Sequence, residues 1–253
     1  MDLHLAGKAA LITGGAVGLG RTVALRLASE GARVAVNAHG HLEDAQTLAE
    51  EIQSTCHVDA FAVRADVSRE AEVQAMFDTV LRRFGQLDVL VNNAALCPTC
   101  DVMDMSAAQW TRTVEVNLTG TFLCSREMVR QLVAAGRPGR IVNVSSQAAF
   151  RGSTTGHAPY DASKGGIVSL TVSMAREMAR YGIAVNAVAP GMMLTGMTAQ
   201  TIQANQEKYL ARIPLGRIGD TAEIADVIVF LASERASYMT GATVDVSGGM
   251  LMR

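Results

Sequence analysis

Short apolar runs alternate with longer amphipathic stretches from one end of the chain to the other. The runs are 8–13 (KAALIT), 33–37 (RVAVN), 60–65 (AFAVRA), 87–92 (LDVLVN), 140–145 (RIVNVS), 183–189 (IAVNAVA) and 242–246 (ATVDV). Most lack polar/apolar alternation, as expected of strands buried on both faces. Helical spacing of apolar residues recurs near 18–30, 43–54, 69–84, 106–135, 159–181 and 221–233. Strand and helix in regular alternation predict an α/β fold. Right-handed crossovers make it a single Rossmann-type, doubly wound parallel sheet of seven strands, with helices on both faces. No linker or internal repeat divides residues 1–253, so one domain is expected. The stretch 190–215 has no clear period and follows a strand end, which predicts an irregular, flexible flap over the substrate.

Bulk properties narrow the function classes. The formal net charge is −2, with 49% hydrophobic and 18% charged residues. Nothing in that balance attracts nucleic acid or an anionic membrane surface. No apolar run approaches the roughly 20 residues of a membrane span, and the N-terminus does not read as a signal peptide. A cytoplasmic location is the expectation. The four cysteines, at 56, 97, 100 and 124, are expected to be free thiols. Cys97 and Cys100 form a C-x-x-C pair, the spacing of a redox pair or half of a zinc site. No second C-x-x-C or close His pair completes a metal site, so no metal is expected.

The first strand runs into Thr13-Gly14-Gly15-Ala16-Val17-Gly18-Leu19-Gly20, and a helix follows. Glycines there permit a tight turn and close approach of backbone N–H groups to a pyrophosphate. The helix N-terminus adds unpaired N–H groups and the positive end of its dipole. Gly14, Val17, Gly18, Leu19 and Gly20 are therefore the candidate phosphate cradle. A second constellation comes from Ser146, which closes the fifth strand, with Tyr160 and Lys164 four residues apart on one helix face. A phenol has a pKa near 10. A nearby ammonium favours its ionisation, so Lys164 is expected to ready Tyr160 as a proton carrier. The Ser146 hydroxyl would polarise a substrate oxygen. Lysine occurs only at 8, 164 and 208 in a chain that otherwise uses arginine.

The turn T-G-x-x-x-G-x-G, followed in order by Ser146 and Tyr160-x-x-x-Lys164, resembles the short-chain dehydrogenase/reductase family over nearly the whole chain. The resemblance implies NAD(P) as cofactor and interconversion of a secondary alcohol and a ketone. It adds Asn117 as a fourth catalytic residue and gives Lys164 and Tyr160 a role in holding the nicotinamide ribose. It places Asp66 and Val67 at the adenine, and Asn93 and Ala94 along the cleft. Pro190, Gly191, Met193 and Thr195 fall at the carboxamide and phosphate. Two departures stand out: Ala95 where glycine is usual, and 13 residues between Ser146 and Tyr160 where many relatives have 12. The extra residue is expected in the loop 151–159.

The second strand ends Asn37-Ala38-His39. Ala38 stands where an NAD-selecting Asp is expected, so NADP is favoured, with Asn37 and His39 as its 2′-phosphate contacts. Val17 in place of a basic residue, and Glu43 and Asp44 nearby, weigh the other way. The chain looks most like the branch of 3-oxoacyl-acyl-carrier-protein reductases. That implies a carbonyl or alcohol substrate and, for the branch, a carrier protein met by basic residues at the cleft edge, with Arg137 and Arg180 as candidates. Tyr181 replaces an expected arginine and counts against docking. The same scaffold serves sugar, diol and cyclic-alcohol dehydrogenases. Met103, Met105, Met192, Met193 and Met197 are candidates for an adaptable apolar pocket, and His157 for a substrate contact. A homo-oligomer, dimer or tetramer, is implied through the helices at 106–135 and 159–181 and the last strand. A non-enzymatic dinucleotide sensor would be expected to break the Asn117, Ser146, Tyr160, Lys164 set, which is complete.

Overall fold

The computed structural model describes residues 2–153, 155–196 and 198–252, with the side chains of residues 200 and 201 left out. Seven parallel strands form one sheet in the order β3-β2-β1-β4-β5-β6-β7. They are β1 (Ala9–Thr13), β2 (Arg33–Ala38), β3 (Ala60–Arg64), β4 (Val89–Asn92), β5 (Gly139–Val144), β6 (Ile183–Pro190) and β7 (Thr243–Val246). The order reverses between β1 and β4, which opens a crevice at their C-terminal ends.

The lack of alternation in the strands has the expected cause. In β1, Ala10 and Ile12 face one core, and Ala9 and Leu11 face the other. The first core lies under α1 (Gly18–Ser29), α2 (Leu42–Cys56) and α9 (Thr221–Ala232), through Val23, Leu27, Leu48, Ile52 and Ile228. The second lies under α3 (Glu70–Phe84), α5 (Gly120–Ala134) and α7 (Ala158–Met178), through Phe77, Val80, Met128 and Ala175. Helix ends follow local chemistry. Ser106 and Gln109 make a reciprocal capping box at the start of α4 (Ala107–Val114), and Asp220 and Glu223 make another at α9. Pro159 sits in the first turn of α7, where a missing N–H costs nothing.

Three elements differ from the sequence pattern. The helix expected over 106–135 changes pitch at Glu115–Thr119, where one π-helical turn separates α4 from α5. Such turns recur at functional sites, and this one carries Asn117. A one-turn helix, α6 (Ala148–Arg151), follows β5 and is too short to leave a period. The stretch expected to be irregular contains α8 (Ala199–Leu210), bent at Asn205 (φ −137°). Its sequence is mostly polar, and Ile202 is its one fully buried side chain among the described residues. It therefore lacks the apolar stripe that betrays most helices. Met197 falls outside the described residues. Among those described, no helix is long and apolar enough to cross a membrane.

Candidate active site

The glycine turn is shaped by what its neighbours leave no room for. Gly14 (φ +59°) and Gly18 (φ +55°) adopt left-handed backbone. A Cβ on Gly20 would stand 2.3 Å from the Gly14 carbonyl oxygen and 2.6 Å from Asn93 Nδ2. Helix α1 follows Val17, which offers no side-chain cap, and has no acid in its first turn. Its first N–H groups therefore lack a side-chain partner and face no negative charge from that turn, as a dinucleotide pyrophosphate requires. Thr195 closes in from the far side of the crevice, 3.6 Å from where a Gly18 Cβ would lie. These features fit a dinucleotide.

Asn37, expected to touch the cofactor, acts from behind the turn instead. Asn37 is 1% exposed, and its amide is spent on the protein. Oδ1 accepts from Gly14 N–H at 3.3 Å, while Nδ2 donates to the carbonyls of Val63 and Ala65. It pins the turn to the sheet and offers nothing to a 2′-phosphate, which corrects the expectation. His39 is exposed at the end of β2. Asn93 Nδ2 donates to the carbonyls of Thr13 and Gly14. Thr13 Oγ1 in turn accepts from the N–H groups of Asn93 and Ala94. Val67 is buried against Gly120. The Asp66 carboxylate is held by Ser68 and by Arg112 at 2.8 Å. Burial would raise its pKa, but the Ser68 hydrogen bonds and Arg112 outweigh it and hold the carboxyl below its usual range. Past β6, Pro190 C=O accepts from Gln147 N–H at 2.9 Å, and Gly191 packs against Ser247. Met193 bridges to Gly219.

The residues expected to handle the proton meet just past the end of β5. Ser146 stands beside Tyr160, near enough for its hydroxyl to oppose the rise in the phenol's pKa, and its Oγ accepts from Ala148 N–H at 3.1 Å. Lys164, 2% exposed, lies with Nζ 5.5 Å from the Tyr160 ring centre and donates to Val144 C=O at 2.6 Å. Ser145 Oγ donates to Lys164 C=O, which fixes that turn of α7 on the strand. Asn117, fully buried, accepts from Leu96 N–H at 2.7 Å and donates to Leu96 C=O and Ser163 Oγ. Ser163 Oγ donates onward to Tyr160 C=O at 2.7 Å. The side chain of Asn117 thus ties the loop after β4 to the tyrosine's own turn. Sequence reading did not single out Thr13 or Ser163; a hydroxyl beside each motif was the available signal.

The electrostatics differ from expectation. Burial pushes the Tyr160 phenol above its ordinary pKa, the Cys97 thiol adds to that, and the Ser146 hydroxyl only partly opposes it. Burial also pulls the Lys164 ammonium down to about 8, with Cys97 opposing. In the protein alone, then, Lys164 does not draw Tyr160 toward phenolate. Desolvation wins over one ammonium that is itself destabilised.

The C-x-x-C pair consists of free thiols. Cys97 is pushed up to about 11, first by burial and then by Asp161, so it carries little thiolate. The described residues hold no cluster suited to a metal. The two arginines expected at the cleft edge lie elsewhere. Arg137 precedes β5 and pairs with Asp88 at 2.7 Å, and Arg180 stacks on Tyr181 just before β6. Both stand at the N-terminal ends of the strands, opposite the site.

Glycine turn, uncapped helix and Ser146–Tyr160–Lys164 cluster on one parallel sheet define a nicotinamide-dependent oxidoreductase acting between CH–OH and keto groups. Known proteins agree. The family model described as enoyl-(acyl carrier protein) reductase matches residues 14–251. The 3-oxoacyl-acyl-carrier-protein reductase FabG of Staphylococcus aureus is 44% identical over 97% of this chain and 98% of its own. The FabG of Aquifex aeolicus is 40% identical over 99% and 100%. A short-chain type dehydrogenase/reductase from Mycobacterium marinum superposes with TM-score 0.94 at 34% identity, covering 100% and 98%. A candidate gluconate dehydrogenase from Agrobacterium tumefaciens gives 0.93 at 36%, covering 100% and 99%. The chain belongs to the short-chain dehydrogenase/reductase family.

Proposed function

We propose that Tyr160 is the proton carrier, Ser146 the group that polarises the substrate oxygen, Lys164 the cation behind them, and Asn117 the tie that positions them. The observation that carries this is buried Lys164, with Nζ 5.5 Å from the Tyr160 ring centre and bound to Val144 C=O, two residues before Ser146. Bound in that turn, the dinucleotide supplies or takes up the hydride. In the reducing direction, Tyr160 gives its proton to the carbonyl oxygen while Ser146 donates a hydrogen bond that strengthens as charge develops. A phenol held protonated by its surroundings suits that direction. Lys164 and Tyr160 would hold the nicotinamide ribose, and the backbone of Gly14, Val17, Gly18, Leu19 and Gly20 the phosphates. Asp66 and Val67 would border the adenine, Asn93 and Ala94 would line the cleft, and Pro190, Gly191, Met193 and Thr195 would meet the carboxamide side.

The favoured cofactor is NADP, because Ala38 places no acid at the end of β2. The names of the FabG relatives make a 3-oxoacyl thioester the first substrate to offer. A second reading, a polyol or hydroxylated ketone, is favoured by the position of Arg137 and Arg180, which leaves those two unable to hold a carrier protein at the cleft. The exposed apolar side chains Trp110, Phe122, Val133 and Val172 on α4, α5 and α7 support a homodimer or tetramer, in the cytoplasm.

Hydride transfer is followed at 340 nm with NADPH and NADH separately. Tyr160→Phe is expected to lose about 10²–10⁴-fold in rate while still binding the cofactor. Wild-type turnover by the variant would remove Tyr160 from the mechanism.

A further inference from the structure

The order of the strands assigns the two halves of a dinucleotide. The glycine turn closes β1, and Ser146 and Tyr160 lie past β5. The sheet runs β3-β2-β1-β4-β5. A dinucleotide with its pyrophosphate at the turn and its nicotinamide toward Tyr160 sends its adenosine half the other way, over the ends of β2 and β3. An acid at the end of β2 accepts from a 2′-hydroxyl, whereas a nearby arginine accommodates a 2′-phosphate. β2 itself ends in neither. Ala38 is buried and apolar, Asn37 spends its amide on the protein, and Val17 in the turn carries no charge.

The neighbouring strand supplies the cation. β2 and β3 pair in parallel, and Arg64 stands opposite Ala38. Adjacent strands lie about 4.7–4.9 Å apart, so Arg64 leaves the sheet one strand spacing from the end of β2. Alternation along the two strands gives its direction. Val34, Val36 and Ala38 on β2, with Ala60 on β3, face the first core, and Ala62 packs against it. Ala35 and Val63 face the second core, with Phe61 against it. Arg64 continues the first face, the one that carries α1 and its N-terminus. It is exposed, at the C-terminal end of an edge strand. The arginines toward the other end of these strands are engaged: Arg33 donates to Phe84 C=O, and Arg83 pairs with Asp59. Arg64 makes no hydrogen bond or ion pair with any of the described residues. The acids in the first turn of α2 leave it free, and one of them, Asp44, is bound by His41 at 2.9 Å.

We infer that Arg64, from β3, takes the 2′-phosphate of NADP and selects that cofactor over NAD. This rests on the hydride-transfer reading above and names the residue that chooses its cofactor. A guanidinium is always charged, and its planar fork of donors matches phosphate oxygens. Ala38 sets no carboxylate against that phosphate. NAD offers Arg64 only a neutral hydroxyl, so the side chain discriminates by charge.

Calorimetry tests this without turnover. The ligands are NADP and NAD, and adenosine 2′,5′-bisphosphate and adenosine 5′-monophosphate, which differ by the 2′-phosphate alone. The wild type is expected to bind the phosphorylated member of each pair about tenfold or more tighter, with the preference shrinking as salt rises. Arg64→Gln should weaken NADP about tenfold and leave NAD within about twofold. Its melting temperature should match the wild type, because the side chain it replaces holds nothing in the protein. Arg64→Lys, which keeps the charge and loses the fork, should restore part of the preference. Equal affinity of the wild type for NADP and NAD, tighter binding of NAD, or an unchanged ratio in Arg64→Gln overturns the assignment and leaves the oxidoreductase reading standing. Failure of the wild type to bind either dinucleotide overturns the hydride-transfer reading, and the role of Arg64 falls with it.

Discussion

Replacing Asn117 with Ala removes three hydrogen bonds at once from a side chain with no exposed surface. The bond from Leu96 N–H is 2.7 Å, and those to Leu96 C=O and Ser163 Oγ are 2.9 and 3.0 Å. Ser163 keeps its own bond to Tyr160 C=O, so the loss falls mainly on the two backbone groups of Leu96. Orphaning a buried polar group costs about 1–3 kcal/mol. Leu96 is 39% exposed, and water reaches part of that segment. The sum is therefore about 2–4 kcal/mol. For a chain of this length each kcal/mol shifts the melting temperature by about 2–4 °C, which predicts a drop of roughly 5–15 °C. Asn117→Asp keeps the acceptor for Leu96 N–H but sets a buried carboxylate against Leu96 C=O, so it should lose at least as much. Thermal melts followed by circular dichroism give the stability, and assays at a temperature where both variants remain folded give the rate. There, kcat should fall more than cofactor affinity, since the tie runs to the tyrosine's turn. A drop below 2 °C with wild-type kcat would refute the tie.

Two further outcomes follow from the site. Lys164 is charged below its lowered pKa of about 8 and neutral above it. Accordingly kcat/KM for the cofactor in ketone reduction should decline as pH rises through about 8, and Lys164→Ala should flatten the profile; a wild-type profile level from pH 7 to 9.5 contradicts this. Gly20→Ala forces a methyl to within 2.3 Å of the Gly14 oxygen. Overpacking of this kind costs about 1–3 kcal/mol. Calorimetry should show cofactor affinity reduced at least tenfold, and a dissociation constant within twofold of wild type would show that the turn relaxes freely.

The strands were legible because both faces of β1 to β6 are largely apolar. The set proposed to handle the proton could be named from the string because the chemistry proposed for it calls for a hydroxyl, a phenol and an ammonium. What stayed hidden depends on direction in space. Nothing in the string shows that the Asn37 amide turns inward onto Gly14, Val63 and Ala65, or that Arg137 lies at the wrong end of β5. The pKa of Tyr160 was misjudged for a similar reason: spacing revealed the ammonium, but burial, which outweighs it, is a property of the packed molecule. Helix α8 was missed because polar residues make up most of it, and α6 because a single turn has no period.

The π-helical turn at Glu115–Thr119 amounts to one residue looped into a helix without breaking it. Each residue of an α-helix advances the side-chain direction by about 100°. Deleting one position there would allow ordinary pitch to run from α4 through α5, and would swing one helix about its axis relative to the other by that angle. Leu123, Cys124 and Met128 could then stay on the sheet only if Asn117 left Leu96 and Ser163, or the reverse. The extra residue lets a single rod satisfy two phases: one set by the oily core, the other by the polar tie to the tyrosine. Length variation among related chains should therefore spare this turn, even where the loops on either side of the rod gain or lose residues freely.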